Sequence, residues 1–219
     1  MIEYTKKDYV IPATGFFVGL PLLLYVLGDF ARRTVLKESL SVLFILTYSL
    51  MLGLFFLSRS NKKAVKTFRM SKLIKYHKII GYLAVIIFFV HPLLLVTPRF
   101  FEAGVAPMDA FVTIITTFDS LGVILGITAW FLMLSLGVIS FFRNRLSLNY
   151  ISWRYVHGIL AMVFVAVATW HVINLGRHAN LAMSIYLITI TTGSEMLILK
   201  TYFFKPAKVR LAKNNEKPK

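Results

Sequence analysis

The sequence predicts an all-α integral membrane protein built as a six-helix bundle, and three observations carry that prediction. Of 219 residues, 58% are hydrophobic and only 16% charged, whereas soluble domains hold apolar residues near about half. Six apolar runs approach the ~20 residues that cross a hydrocarbon core of about 30 Å. Basic residues gather in alternate connections between those runs, so the charge follows the topology of a multi-pass chain. The spans read as about 11–28, 40–57, 73–96, 121–142, 156–175 and 181–203. Residues 1–203 thus form one six-span membrane domain, and 204–219 form a basic cytoplasmic tail.

The first span follows Lys6 and Lys7 but is long and lacks a small-residue cleavage site, so it reads as an anchoring helix and not as a removed signal. Within it, Gly15-x-x-x-Gly19 would let a neighbouring helix approach closely, as would Gly122-x-x-x-Gly126 in span four. Span two leads into the basic loop RSNKKAVKTFRMSKLIK. In span three Pro92 removes a backbone donor, which would bend the helix beside His91. The connection TPRFFEAGVAPMDAFVTIITTFD carries Pro and Gly that argue against one continuous helix; a short surface helix capping the outer face is expected there. Trp153 and Trp170 suit the interfacial belts that flank span five. Span six holds a carboxylate, Glu195, that would either relay protons to a quinone or contact Lys200.

With six spans, the loop after span two, the segment from Arg143 to Arg154 and the tail all share a side with the N-terminus. The opposite side has only Arg32, Arg33, Lys37, Arg99 and Arg177. The expected placement is the cell membrane, multi-pass, with both termini cytoplasmic. A net charge of +16 then needs no partner beyond topology and the anionic headgroups of the lipid bilayer, and no nucleic acid is expected. Cysteine is absent, which excludes disulfides, thiolate metal sites and cysteine nucleophiles.

Four of the five histidines form two pairs with the same spacing: His77 and His91 in span three, His157 and His171 in span five. Fourteen positions are nearly four turns of helix, about 21 Å along the axis, so each pair lies on one face near opposite membrane surfaces. Spans three and five run in the same direction. Packed side by side, they bring His77 opposite His157 and His91 opposite His171. Two facing imidazoles can hold a planar macrocycle by axial ligation of its iron, and two such levels describe two b-type haems between helices three and five. A lone intramembrane histidine can instead bond a neighbouring helix. Zinc would need a thiolate, carboxylate or third histidine at each level. A proton or metal transporter whose histidines line a wet path is the competing reading from another class.

The segments KLIKYHKIIGYLAVIIFFVHPLLL and WRYVHGILAMVFVAVATWHVINLG resemble the third and fifth helices of the ferric reductase-like transmembrane family, the membrane part of ferric reductases, NADPH oxidases and the haem-binding subunit of methionine sulfoxide reductase systems. The likeness spans roughly residues 40 to 200. It implies an electron wire in which His77 and His157 ligate the iron of an inner haem b, and His91 and His171 that of an outer one. Arg154 and Lys75 at the inner level, with Arg99 and Arg177 at the outer, are candidate contacts for haem propionates.

No G-x-G-x-x-G loop is present and the chain stops soon after span six, so the flavin- and nicotinamide-binding domain of many family members is not expected. Electrons would come from a separate cytoplasmic reductase, from FMN or FAD bound loosely or by a partner, or from membrane quinol. They would leave to an outer-face reductase or a ferric complex. The expected role is an oxidoreductase component in a two-component system, with direct reduction of ferric iron or oxygen at the outer haem as the alternative.

Overall fold

A computed structural model describes residues 6–31, 33–118 and 120–203. The tail 204–219 and Arg32, on which parts of the charge reading rest, lie outside the described residues. No strand occurs among those described, and six helices are long and apolar enough to cross a membrane. The protein is a multi-pass, all-helical membrane protein.

The first crossing, α1 (Lys7–Val26), contains a π-helical stretch at Gly15–Gly19. A π-turn releases backbone carbonyls from the regular ladder, and in lipid those carbonyls need donors from elsewhere. Here the Tyr186 hydroxyl donates to the Phe16 carbonyl at 2.9 Å and the Ser49 hydroxyl to the Phe17 carbonyl at 2.8 Å. The two glycines of Gly15-x-x-x-Gly19 do not themselves meet a neighbouring helix: a Cβ on Gly15 would meet nothing within 4 Å, and one on Gly19 only the Thr14 carbonyl of its own helix, at 4.0 Å. The two hydroxyls, with Phe17 packed on Gly53, tie this π-turn to its neighbours.

Helix α2 (Val35–Gly53) starts at a Thr34 cap, and its C-terminal part from Thr47 to Gly53 is largely buried. A short helix, α3 (Lys62–Thr67), is capped by Asn61, whose side-chain carbonyl accepts from the Ala64 amide at 3.1 Å. Then α4 (Met70–Ala103) runs for 34 residues, about 50 Å at 1.5 Å per residue, well beyond the hydrocarbon core. Pro92 and Pro98 lie inside it without ending it; it stops at Gly104, whose φ of 65° is the left-handed cap that glycine adopts freely.

The connection after α4 forms the short helix α5 (Pro107–Thr116). Helices α6 (Leu121–Phe141) and α7 (Tyr150–Leu175) make an antiparallel hairpin and are the most closely packed pair in the bundle. Asn149 caps α7 through the Ser152 amide at 2.9 Å. Asn180 does the same for α8 (Leu181–Phe203), through the Met183 amide at 2.9 Å.

The core gathers Tyr48, Leu52, Met133, Phe164, Val165 and Ile190 from five of the crossings when Ala84 of α4 is added. A line of hydroxyls braces it, with Tyr48 2.6 Å from Thr169 and Thr169 2.7 Å from Thr191. Large apolar side chains such as Leu23, Ile86, Phe131 and Ile185 face outward, as lipid contact requires. Helix α4 packs on α2, α5 and α6, but the main chains of α4 and α7 come close at almost no point among the described residues. The two histidine helices therefore face each other across a gap.

Candidate functional site

Each of the four histidines stands on one of these two long helices and is half-buried. His77 and His157 lie within electrostatic range of each other, as do His91 and His171. The structure brings the four rings together two at a time, at two depths. Among the described residues no three of His, Cys, Asp and Glu converge as a metal-binding group.

The ring nitrogens are differently employed. His77 Nδ1–H donates to the Leu54 carbonyl at 3.2 Å, and His171 Nδ1–H to the Gly122 carbonyl at 2.8 Å. The Ser140 hydroxyl lies 3.3 Å from His157 Nδ1. A carbonyl on Nδ1 selects the tautomer whose Nε2 lone pair is free, the arrangement metal-bound histidines use. His91 Nδ1 is buried and finds no partner among the described residues; the edge of Phe44, 4.4 Å away at 83°, sets that ring instead.

Aromatic packing orients His157 as well. Trp153 stacks on it at 5.1 Å and 19°, while its indole N–H donates to the Ile139 carbonyl at 3.2 Å. Trp153 thus touches a site histidine directly, whereas Trp170 is 58% exposed and turns outward.

The pair His91 and His171 opens onto a cavity of about 670 Å³, a size that suits a cofactor or small ligand. His91 and His171 are on its wall, and Thr113 and Thr117 bring α5 and the turn after it against it, so the surface helix expected from sequence does border the site. Arg99 and Arg177 both line the cavity, and Arg177 also donates to the Ala31 carbonyl at 3.0 Å. At the level of His77 and His157, Arg154 lies over the rings of Tyr155 and Tyr202, at 5.7 and 5.5 Å, and Lys75 is exposed. Glu195 is half-buried and makes no ion pair with Lys200 among the described residues.

A cradle for His171 is built into α6. A Cβ on Gly126 would stand 2.6 Å from Cε1 and 2.8 Å from Nδ1 of that ring, and one on Gly122 would collide with Leu175. Only glycine lets the imidazole lie flat on this helix. Imidazoles paired at two depths, carbonyls on Nδ1 of His77 and His171, a gap between the two helices and the recess at Gly126 fit a flat group held between those helices. Gly122-x-x-x-Gly126 reads from sequence as a packing motif alone, and Ser140 is not singled out there. A signal existed: Gly126 and Ser140 are fourteen positions apart, the interval between His157 and His171, so an antiparallel hairpin sets each opposite one histidine.

The remaining histidine departs from one of two expectations. From sequence His178, seven positions past His171, either borders an acceptor site or is a solvated loop histidine, and at 7% exposure it is not solvated. The rings of Tyr25 and Phe30 pack on it at 4.8 and 4.6 Å, and its Nε2 meets Arg33 and Glu38. Nothing in the local sequence around 178 marks this burial, because the covering residues come from α1 and the turn before α2.

Residues 43–168 match the family model described as "Ferric reductase like transmembrane component". The chain belongs to this family. A ferric reductase like transmembrane component is part of a membrane electron-transfer or reductase system, and the family works with redox partners. An uncharacterized protein of Archaeoglobus fulgidus is 43% identical over 160 residues, which cover 73% of this chain and 87% of that protein. No solved structure matches the chain. The family match begins within α2 and ends within α7, so it includes all four site histidines except His171, which lies three residues past its end.

Proposed function

We propose that this ferric reductase like component is a two-haem, b-type conductor that carries single electrons across the membrane. The observation that carries the reading is the pair of facing imidazole levels, with Nδ1 held by a carbonyl on His77 and His171. His77 and His157 would hold the inner haem iron, and His91 and His171 the outer. Each haem, when bound, supplies a one-electron iron couple. The protein's residues do the rest. Leu54, Gly122 and Ser140 fix ring orientation, Phe44 and Trp153 restrict ring rotation, and the apolar wall keeps water from the path. Arg99 and Arg177 are placed to meet propionates at the outer level, with Arg154 and Lys75 as their inner counterparts.

The basic loops orient both termini toward the cytoplasm by the positive-inside rule. Electrons then enter at the inner level from a cytoplasmic reductase, a flavin or membrane quinol, and leave at the outer level to an outer-face reductase or a ferric complex.

An optical spectrum of the purified chain, oxidised and then dithionite-reduced, with haem counted per chain, tests this directly. Two haems with a sharp reduced α-band are expected, and His91→Ala should remove one while sparing the other. A colourless chain from haem-replete cells would overturn the reading and leave proton or metal transport as the use of the histidines.

A further inference from the structure

The outer cavity has a second, polar cluster that the electron path does not use. Arg33, Ser41 and His178 line the cavity together with His91 and His171. The cluster is tightly connected. Arg33 Nε donates to Glu38 Oε1 at 2.7 Å, Arg33 Nη2 donates to the Ser41 hydroxyl at 2.6 Å, and the Tyr25 hydroxyl donates to Glu38 Oε2 at 2.7 Å. His178 Nε2 stands 3.1 Å from Arg33 Nη2 and 3.3 Å from Glu38 Oε2. Its Nδ1 is buried without a partner among the described residues.

Those two contacts are chemically opposite. A guanidinium can only donate, so the Arg33 contact requires a bare Nε2 and a neutral ring. A carboxylate can only accept, so the Glu38 contact requires an Nε2–H, which the imidazolium and the Nε2–H tautomer of the neutral ring both have. One nitrogen thus sits between a donor and an acceptor, and Nε2 finds a partner in place whether or not it carries a proton.

We propose that His178 is a proton-accepting site linked to the outer level, taking up one proton when one electron arrives there and releasing it when the electron leaves. This rests on the two-haem reading. The balance is one electron from the inner level and one proton from outer solvent, with no other reactant. In the imidazolium Nε2–H donates to the Glu38 carboxylate. When the outer level is oxidised by its acceptor, the proton is released beside the departing electron. The outer face would therefore favour an acceptor whose reduction consumes protons.

Burial pushes the His178 imidazole below its ordinary value, the Glu38 carboxylate opposes this, and Arg33 and Arg177 add to it. The neutral ring is thus the resting form near neutral pH, and an added electron nearby favours the cation. The other charged or titratable groups lining the cavity are Tyr48 from α2, Arg99 from α4, Tyr186 from α8 and the site histidines His91 and His171, while Tyr25 from α1 packs on His178 itself.

The test is a spectroelectrochemical titration of the haem-loaded full chain from about pH 5 to about pH 9, with the outer level identified as the signal lost in His91→Ala. The outer potential should fall as pH rises, by up to about 59 mV per unit, the tenfold change per proton of a one-electron couple. His178→Gln, with its haem content checked, should flatten that slope and leave the inner level unchanged. Glu38→Gln removes the acceptor for the imidazolium and should move the sloping window to lower pH. A slope that survives His178→Gln, or an outer potential independent of pH in the unaltered chain, overturns the proposal and leaves the two-haem reading standing. If His178→Gln loads no haem, Glu38→Gln decides, since an unmoved window overturns the assignment. A chain that binds no haem overturns both.

Discussion

Replacing Gly126 by alanine puts one methyl group against the ring of His171. The added Cβ would lie 2.6 Å from Cε1 and 2.8 Å from Nδ1, where ordinary contact begins at 3.4 Å. Relief requires a ring displacement of about 0.8 Å. That movement stretches the 2.8 Å bond from His171 Nδ1 to the Gly122 carbonyl beyond useful length, at a cost of about 1 kcal/mol. Alanine returns up to about 1 kcal/mol through helix propensity, so fold stability should change little. The site should change much more. Displacing a ligand's supporting contact weakens metal binding by about 10–100-fold, so the outer haem should be lost under competition with a haem acceptor such as apomyoglobin while the inner haem stays. Gly137→Ala is the control: its Cβ would meet Val85 at an ordinary 3.5 Å and should alter neither haem. If Gly126→Ala keeps both haems with unaltered retention and potentials, the claim that α6 cradles a functional imidazole is wrong.

Ser140→Ala removes the hydroxyl on His157 Nδ1 and should weaken inner haem retention by about tenfold without touching the outer one, read by the same competition. Tyr186→Phe deletes the donor to the π-turn carbonyl of Phe16; thermal unfolding in detergent should report a loss of about 1–3 kcal/mol, because that carbonyl is then left unsatisfied in an apolar setting. By contrast, Glu102→Gln breaks the ion pair with Lys37 at the outer surface and should shift stability by less than about 1 kcal/mol. A larger loss would mean that the tie from α2 to the end of α4 holds the outer cavity in shape.

The hydroxyl network gives α2 its central place. Its buried stretch Thr47–Gly53 supplies Tyr48 to Thr169 of α7 and Ser49 to the π-turn of α1. In a bilayer, helices gain nothing hydrophobic by leaving lipid for one another, so small residues, packing and such hydrogen bonds hold the bundle. The same scarcity of water explains why Nδ1 of His77 and His171 is tied to carbonyls: an imidazole N–H left without an acceptor in this setting is costly.

Hydropathy and helical period are local properties, and what depends on them was determined by the sequence alone. The six crossings, the all-helical class and the placement of His77 with His91 and of His157 with His171 on single helix faces all follow from residues within one helix. The likeness to the ferric reductase family rests on those same two helices, and the family match agrees with it. The tertiary structure decided what depends on residues far apart in the chain. The gap between α4 and α7, the Gly126 recess under His171 and the Leu54 carbonyl on His77 each depend on how separate helices come together. His178 shows the difference most plainly. Its neighbours in sequence are those of a loop, and only the approach of Tyr25, Phe30, Arg33 and Glu38 from the other end of the bundle makes it a buried, doubly contacted ring. Spacing along one helix can place a ligand, but the nitrogen that remains free on it is chosen by whichever chain packs behind.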